Sequence, residues 1–108
     1  MYYDPEKFGL KIFGMVEEEE LSYEFNMFVV WENLETHQLY YDHDSGCSCP
    51  SPFEESTLEN VNRITKSNVG EFETSINEWN RGYDNKSRTN PLEVAELVKK
   101  VKDHLDAS

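Results

Sequence analysis

Lysine and arginine are absent from Ile12 to Asn62, almost half of this 108-residue chain. Residues 1–56 carry thirteen acids against two bases, Lys7 and Lys11, whereas residues 57–108 carry nine acids and eight bases, for a net charge of −12. Such a field repels nucleic acid and anionic membrane and attracts basic surfaces. No partner of those two anionic kinds is therefore expected. Apolar residues make up only 37% of the chain, and no run is long enough to span a bilayer. Met1-Tyr2-Tyr3-Asp4-Pro5-Glu6 lacks both the basic and the apolar parts of a signal peptide, so the expected location is the cytoplasm. Two cysteines, Cys47 and Cys49, are too few for a secreted disulfide framework. Glycine is sparse, and Gly9-Leu10-Lys11-Ile12-Phe13-Gly14 matches neither the P-loop nor the dinucleotide pattern.

What is present is aromatic. Six Phe, six Tyr and two Trp supply large buried surfaces for a small core, and the length fits one domain. Phe8, Leu10, Ile12 and Val16 alternate with Lys7, Gly9, Lys11 and Met15, which predicts a strand with a bend or bulge at Gly14. Tyr23, Phe25, Met27, Val29 and Trp31 form the next alternating face. Phe28 and Val30 on the opposite face predict that the middle of this strand is covered on both sides. Asn33-Leu34-Glu35-Thr36-His37 then turns the chain into a strand from Gln38 to Asp42, with His37 taking the left-handed position that glycine usually fills.

Past this meander, three cap signatures predict helix starts: Ser56 with Glu59, Asn68 with Glu71, and Asn90 with Glu93 and Pro91. Leu58, Val61 and Ile64 would line the first helix, Phe72, Ile76 and Trp79 the second, and Val94, Leu97, Val98, Val101 and Leu105 the third. The expected fold is α+β: a three-stranded antiparallel meander followed by two or three helices packed on one face. Residues 1–44 would form the acidic meander, 45–55 a crossover loop and 56–108 the helical part of one domain. In the crossover, Ser45-Gly46 would turn the chain, Pro50 and Pro52 would hold it extended, and Phe53 would anchor it on the core.

Chemistry is hard to find. Cys47, Cys49 and His43 are the residues that could hold zinc, but a single Cys-x-Cys lacks the second ligand pair of zinc motifs. A Cys47–Cys49 disulfide would close a strained ring. Asp42, Asp44, Glu54 and Glu55 would raise a nearby thiol pKa, the wrong direction for an activated nucleophile. No catalytic residue, metal or other cofactor is expected. The acids Glu17, Glu18, Glu19, Glu20, Glu24, Glu32, Glu35, Asp42, Asp44, Glu54 and Glu55 fall on turns or solvent faces, where they would either solubilise the chain or engage a basic protein surface.

Tyr2-Tyr3-Asp4-Pro5-Glu6-Lys7-Phe8-Gly9-Leu10, the hairpin from Val30-Trp31 to Leu39-Tyr40-Tyr41, and Asp44-Ser45-Gly46-Cys47-Ser48-Cys49-Pro50-Ser51-Pro52-Phe53-Glu54 together resemble a group of small uncharacterised proteins of actinobacterial phages. The resemblance covers roughly residues 2–60 and implies expression in a bacterial host cytoplasm. The functional expectation is a non-enzymatic accessory protein that binds a basic host or phage protein, including one that itself binds nucleic acid. Two alternatives are a metal- or thiol-dependent protein centred on the Cys-x-Cys loop, and a structural homo-oligomer that uses an exposed strand edge.

Overall fold

The alternating stretches form one antiparallel sheet of four strands in the order β1-β2-β3-β4: β1 Leu10–Glu17, β2 Glu24–Asn33, β3 Leu39–Cys47 and β4 Asn62–Ile64. Two helices follow, α1 Val69–Arg81 and α2 Pro91–Ala107. The computed structural model describes residues 4–18, 24–47, 53, 57, 59–81 and 88–107, with Glu24 and Cys47 described by their backbone. The α+β class is as expected, but the sheet has a fourth strand where a first helix was predicted.

The reason lies in which core each residue serves. Val61 and Ile64 would share one helical face, yet Val61 joins the cluster of Leu10, Met27, Val29, Trp31 and Phe53, whereas Ile64 joins the opposite cluster beneath the helices. Positions three apart point to opposite sides only in an extended chain. Ser56 and Leu58 lie outside the described residues; Val61 N–H donates to the Thr57 carbonyl at 3.2 Å in a single turn, and β4 begins at once. Gln38 Nε2 then donates to the Ile64 carbonyl at 2.7 Å, and Ile64 pairs with Leu39.

The third strand also runs further than predicted. Asn26 pairs with Ser45 and Phe25 with Gly46, so Ser45-Gly46 extends the ladder rather than turning the chain. A Cβ at Gly46 would sit 3.4 Å from the Phe25 ring, an ordinary van der Waals contact. In β1 the register shifts between Ile12 and Gly14, the bulge that Gly14 signalled. Here the neighbour explains the residue: a Cβ on Gly14 would stand 2.5 Å from Leu97 Cδ1 of α2.

Both sheet faces are covered. Val16, Phe28, Val30, Leu39, Tyr41 and Ile64 pack against Phe72, Ile76 and Trp79 of α1 and the predicted apolar stripe of α2. On the other face Phe53 is 1% exposed and meets Trp31 edge-on, with centroids 4.9 Å apart, so the anchoring role predicted for it holds. The helix starts are made differently. Asn90 Oδ1 accepts Leu92 N–H at 2.9 Å, an N-cap, and Pro91 opens α2. Asn68 turns its side chain backwards instead: Oδ1 accepts Thr65 N–H at 2.6 Å and Nδ2 donates to the Arg63 carbonyl.

Candidate functional site

The predicted acids separate once the strands are in register. Glu17 pairs with Met27 and Met27 with Asp44, while Asp42 pairs with Val29, so Glu17, Asp42 and Asp44 occupy neighbouring rows on the face away from the helices. Strand spacing puts Glu17 and Asp44 roughly 10 Å apart across Met27. Asp44 is committed to the fold: its Oδ1 accepts Ser45 N–H and its Oδ2 accepts Phe53 N–H, both at 2.9 Å. Glu35 is exposed in the hairpin turn. Glu18 accepts from Arg88 Nη1 at 3.0 Å. The side chain of Glu24, together with Glu19, Glu20, Glu54 and Glu55, lies outside the described residues.

Glu32 does not belong on a displayed surface. It is 6% exposed, under the end of the β2–β3 hairpin. Its Oε2 lies 2.7 Å from His37 Nδ1 and its Oε1 3.5 Å from Lys11 Nζ. Burial opposes its ionisation, but the His37 hydrogen bond, the charges of Lys11 and His104 and the Lys11 hydrogen bond outweigh that and hold the carboxyl below its ordinary value. An ionised carboxylate only accepts, so the His37 proton sits on Nδ1. His37 takes φ 62°, as the turn predicted, and His104 Nε2 donates to its carbonyl at 2.9 Å. Side chain and main chain together thus offset the left-handed backbone of a non-glycine residue.

Because the Glu32 carboxyl is depressed on folding, its stabilisation is present above the ordinary carboxylate range and is lost as pH falls through its folded value. Glu32→Gln is expected to flatten the acid limb of a stability–pH curve and to cost about 1–2 kcal/mol at neutral pH, the exposure of Lys11 and His37 limiting the figure. Urea midpoints measured from neutral to strongly acid pH check this; an unchanged acid limb would show that the pairing contributes nothing.

Where β4 stops pairing at Tyr41, the β3 edge opens into a polar cleft of about 390 Å³ facing α1. Its lining includes Asn26, Asp42, His43, Ser75, Glu78 and Trp79. Trp79 Nε1 donates to Asn26 Oδ1 at 2.9 Å, and the His43 ring stacks on Phe28 with centroids 6.2 Å apart. Burial, reinforced by neighbouring Asp44, raises the Asp42 carboxyl above its ordinary value despite the His43 N–H that Oδ1 accepts at 2.8 Å. Among the described residues neither Asp42 nor Glu78 has a lysine or arginine partner. Arg88, at the same cleft, is engaged by Glu18 and by the Trp79 carbonyl. Sequence reading named Asp42 and His43 but not Glu78, Ser75 or Asn26. The only signal was Asn26, a polar residue between Phe25 and Met27.

Of the zinc candidates, the structure places His43 and the Cys47 backbone, and it sets these two apart. His43 and Cys47 lie on one extended strand, which sets their Cα atoms roughly 13 Å apart, beyond what a histidine and a cysteine reach around one ion. Cys49 and the Cys47 side chain lie outside the described residues, and among those described no group of three His, Cys, Asp or Glu could hold a metal. No described helix is long and apolar enough to cross a membrane. At the free edge of β1, Lys100 Nζ donates to the Phe13 carbonyl at 2.6 Å beside the bulge, interrupting the row of groups a second strand would need.

The chain matches no curated protein and no solved structure. A family model described as Domain of unknown function (DUF7574) matches residues 1–106. The chain therefore belongs to the DUF7574 family.

Proposed function

We propose that this protein is a non-enzymatic binding protein whose acidic sheet engages a basic surface on another protein. The observation that carries this reading is the absence of countercharge: no lysine or arginine lies between Ile12 and Asn62, and Glu17, Glu35 and Asp42 have no described cationic partner. The described ion pairs other than those of Glu32 with Lys11 and His37 and of Glu18 with Arg88 lie at residues 4–7 or between the helices, as with Lys102 and Glu73 at 2.9 Å. Unpaired carboxylates on a rigid sheet contribute little to folding and attract a basic partner over long range. A protein that itself binds nucleic acid fits this role, because its phosphate-seating surface is already basic. The likeness to small phage proteins supports a setting in a bacterial host cytoplasm.

The protein immobilised and exposed to host lysate at low and at raised salt tests the reading. A partner retained at low salt and released at raised salt is expected. No retained partner, or retention indifferent to salt, would overturn it.

A further inference from the structure

The sheet has edges along β1, along the short β4 and along the part of β3 that runs past β4. An edge offers unpaired N–H and C=O groups to another strand. Asn33 N–H donates to the Gln38 carbonyl at 2.9 Å, which fixes the phase of the β2–β3 ladder: odd-numbered residues of β3 turn their main-chain groups away from β2. Leu39 and Tyr41 pair in this way with Ile64 and Asn62 of β4, whereas His43 and Ser45 have no strand opposite them on that side among the described residues. Both N–H groups are nevertheless taken. His43 N–H donates to Asp42 Oδ1 at 2.8 Å and Ser45 N–H to Asp44 Oδ1 at 2.9 Å. The other edges are treated alike. Arg63 lies between Asn62 and Ile64, so its main-chain groups turn outward from β4, and its carbonyl accepts from Asn68 Nδ2 at 3.0 Å. In β1 the Phe13 carbonyl accepts from Lys100 Nζ at 2.6 Å, and that cation lies 4.5 Å from the centre of the Phe13 ring.

We propose that these side chains close the sheet to strand addition, so that the chain does not pair through β3 with a second copy of itself. The β3 edge is where such pairing would otherwise fit. A symmetric antiparallel match centred on Asp44 sets His43 opposite Ser45 of the copy, each with its main-chain groups facing the other. The carboxylates oppose that match in distinct ways. They hold the N–H groups that the copy's carbonyls would need. The match also stands Asp44 directly against the same residue of the copy, and like charges destabilise a cross-strand pair. Asp44 is not free to turn away, because its Oδ2 accepts Phe53 N–H at 2.9 Å. Edge closure stands whether or not the acidic surface has a partner, and it leaves that surface uncovered by self-association.

Sedimentation equilibrium of the full chain tests this. The edge variant is Asp42→Ala with Asp44→Ala. The control is Glu17→Ala with Glu35→Ala, which removes the same charge from exposed acids. The unaltered chain and the control are expected to stay monomeric, and the edge variant to dimerise at least about tenfold more tightly than either. Thermal unfolding verifies that each variant folds. Because Asp44 also holds Phe53, Asp42→Ala alone supplies a second reading that leaves that contact in place. In dilute solution its His43 amide should exchange with solvent about tenfold faster than in the unaltered chain. Asp42→Asn keeps an oxygen for that N–H and should leave the rate unchanged. A folded edge variant no more associated than the control would overturn the proposal. If the edge variant does not fold, the exchange rates decide: no acceleration by Asp42→Ala, or equal acceleration by Asp42→Asn, would overturn it. So would an unaltered chain whose His43 and Ser45 amides become protected as it dimerises.

Discussion

Replacing Phe28 with alanine is expected to lower the unfolding free energy by about 3–5 kcal/mol, the range for emptying a large aromatic site. Phe28 is fully buried at the middle of β2. Its ring stacks on Tyr41 at 5.6 Å and lies 6.0 and 6.1 Å from Phe72 and Trp79, so it joins the central strand to its neighbour and to α1. The surrounding rings are held by two separate elements, β3 and α1, and cannot collapse together into the space. Against the ~5–15 kcal/mol typical of small domains, the loss leaves a marginal fold. Urea unfolding followed by circular dichroism measures it. A loss below about 1 kcal/mol would mean that the site closes over.

The second large effect belongs to the opposite face. Trp31→Ala is expected to cost about 3–5 kcal/mol, because Trp31 is fully buried and packs edge-on against the buried Phe53. Trp31→Phe should behave very differently. The Trp31 indole N–H is buried without a hydrogen-bond partner among the described residues, a deficit of about 1–3 kcal/mol that phenylalanine removes. That gain offsets most of the lost ring volume. Trp79→Phe has no such compensation, since Trp79 Nε1 donates to Asn26 Oδ1 and the change leaves that oxygen unpaired. Trp31→Phe should therefore be the milder of the two in urea unfolding. The reverse order would contradict this account of the indole.

The two faces also explain what could be read in advance. Alternation in residues 10–17 and 24–33 was legible because side-chain direction in a strand repeats every two residues. The stripe of α2 was legible because five apolar positions at helical spacing admit one burial geometry. Val61 and Ile64 were misleading because a spacing of three suits a helix as well as a strand serving two cores, and only the location of those cores decides. Ser45-Gly46 reads as a turn from composition alone, whereas its place in the ladder comes from pairing with Asn26 and Phe25, far back in the chain. Half of the cleft is equally hidden: Ser75, Glu78 and Trp79 come to the edge of β3 only after α1 is laid on the sheet.

By itself the sequence determined the fold class, the β2–β3 turn with His37 in its left-handed position, the anchoring of Phe53 and the acidic character of the sheet. Each depends on local periodicity, on turn chemistry or on counting charge. Tertiary structure alone decided which acids are available. It buried Glu32 against Lys11 and His37, tied Asp44 to the Phe53 backbone, paired Glu18 with Arg88 and left Asp42 with no described lysine or arginine partner. Net charge is a sum over residues, whereas a carboxylate's role is set by the few atoms around it, and those come from distant parts of the chain.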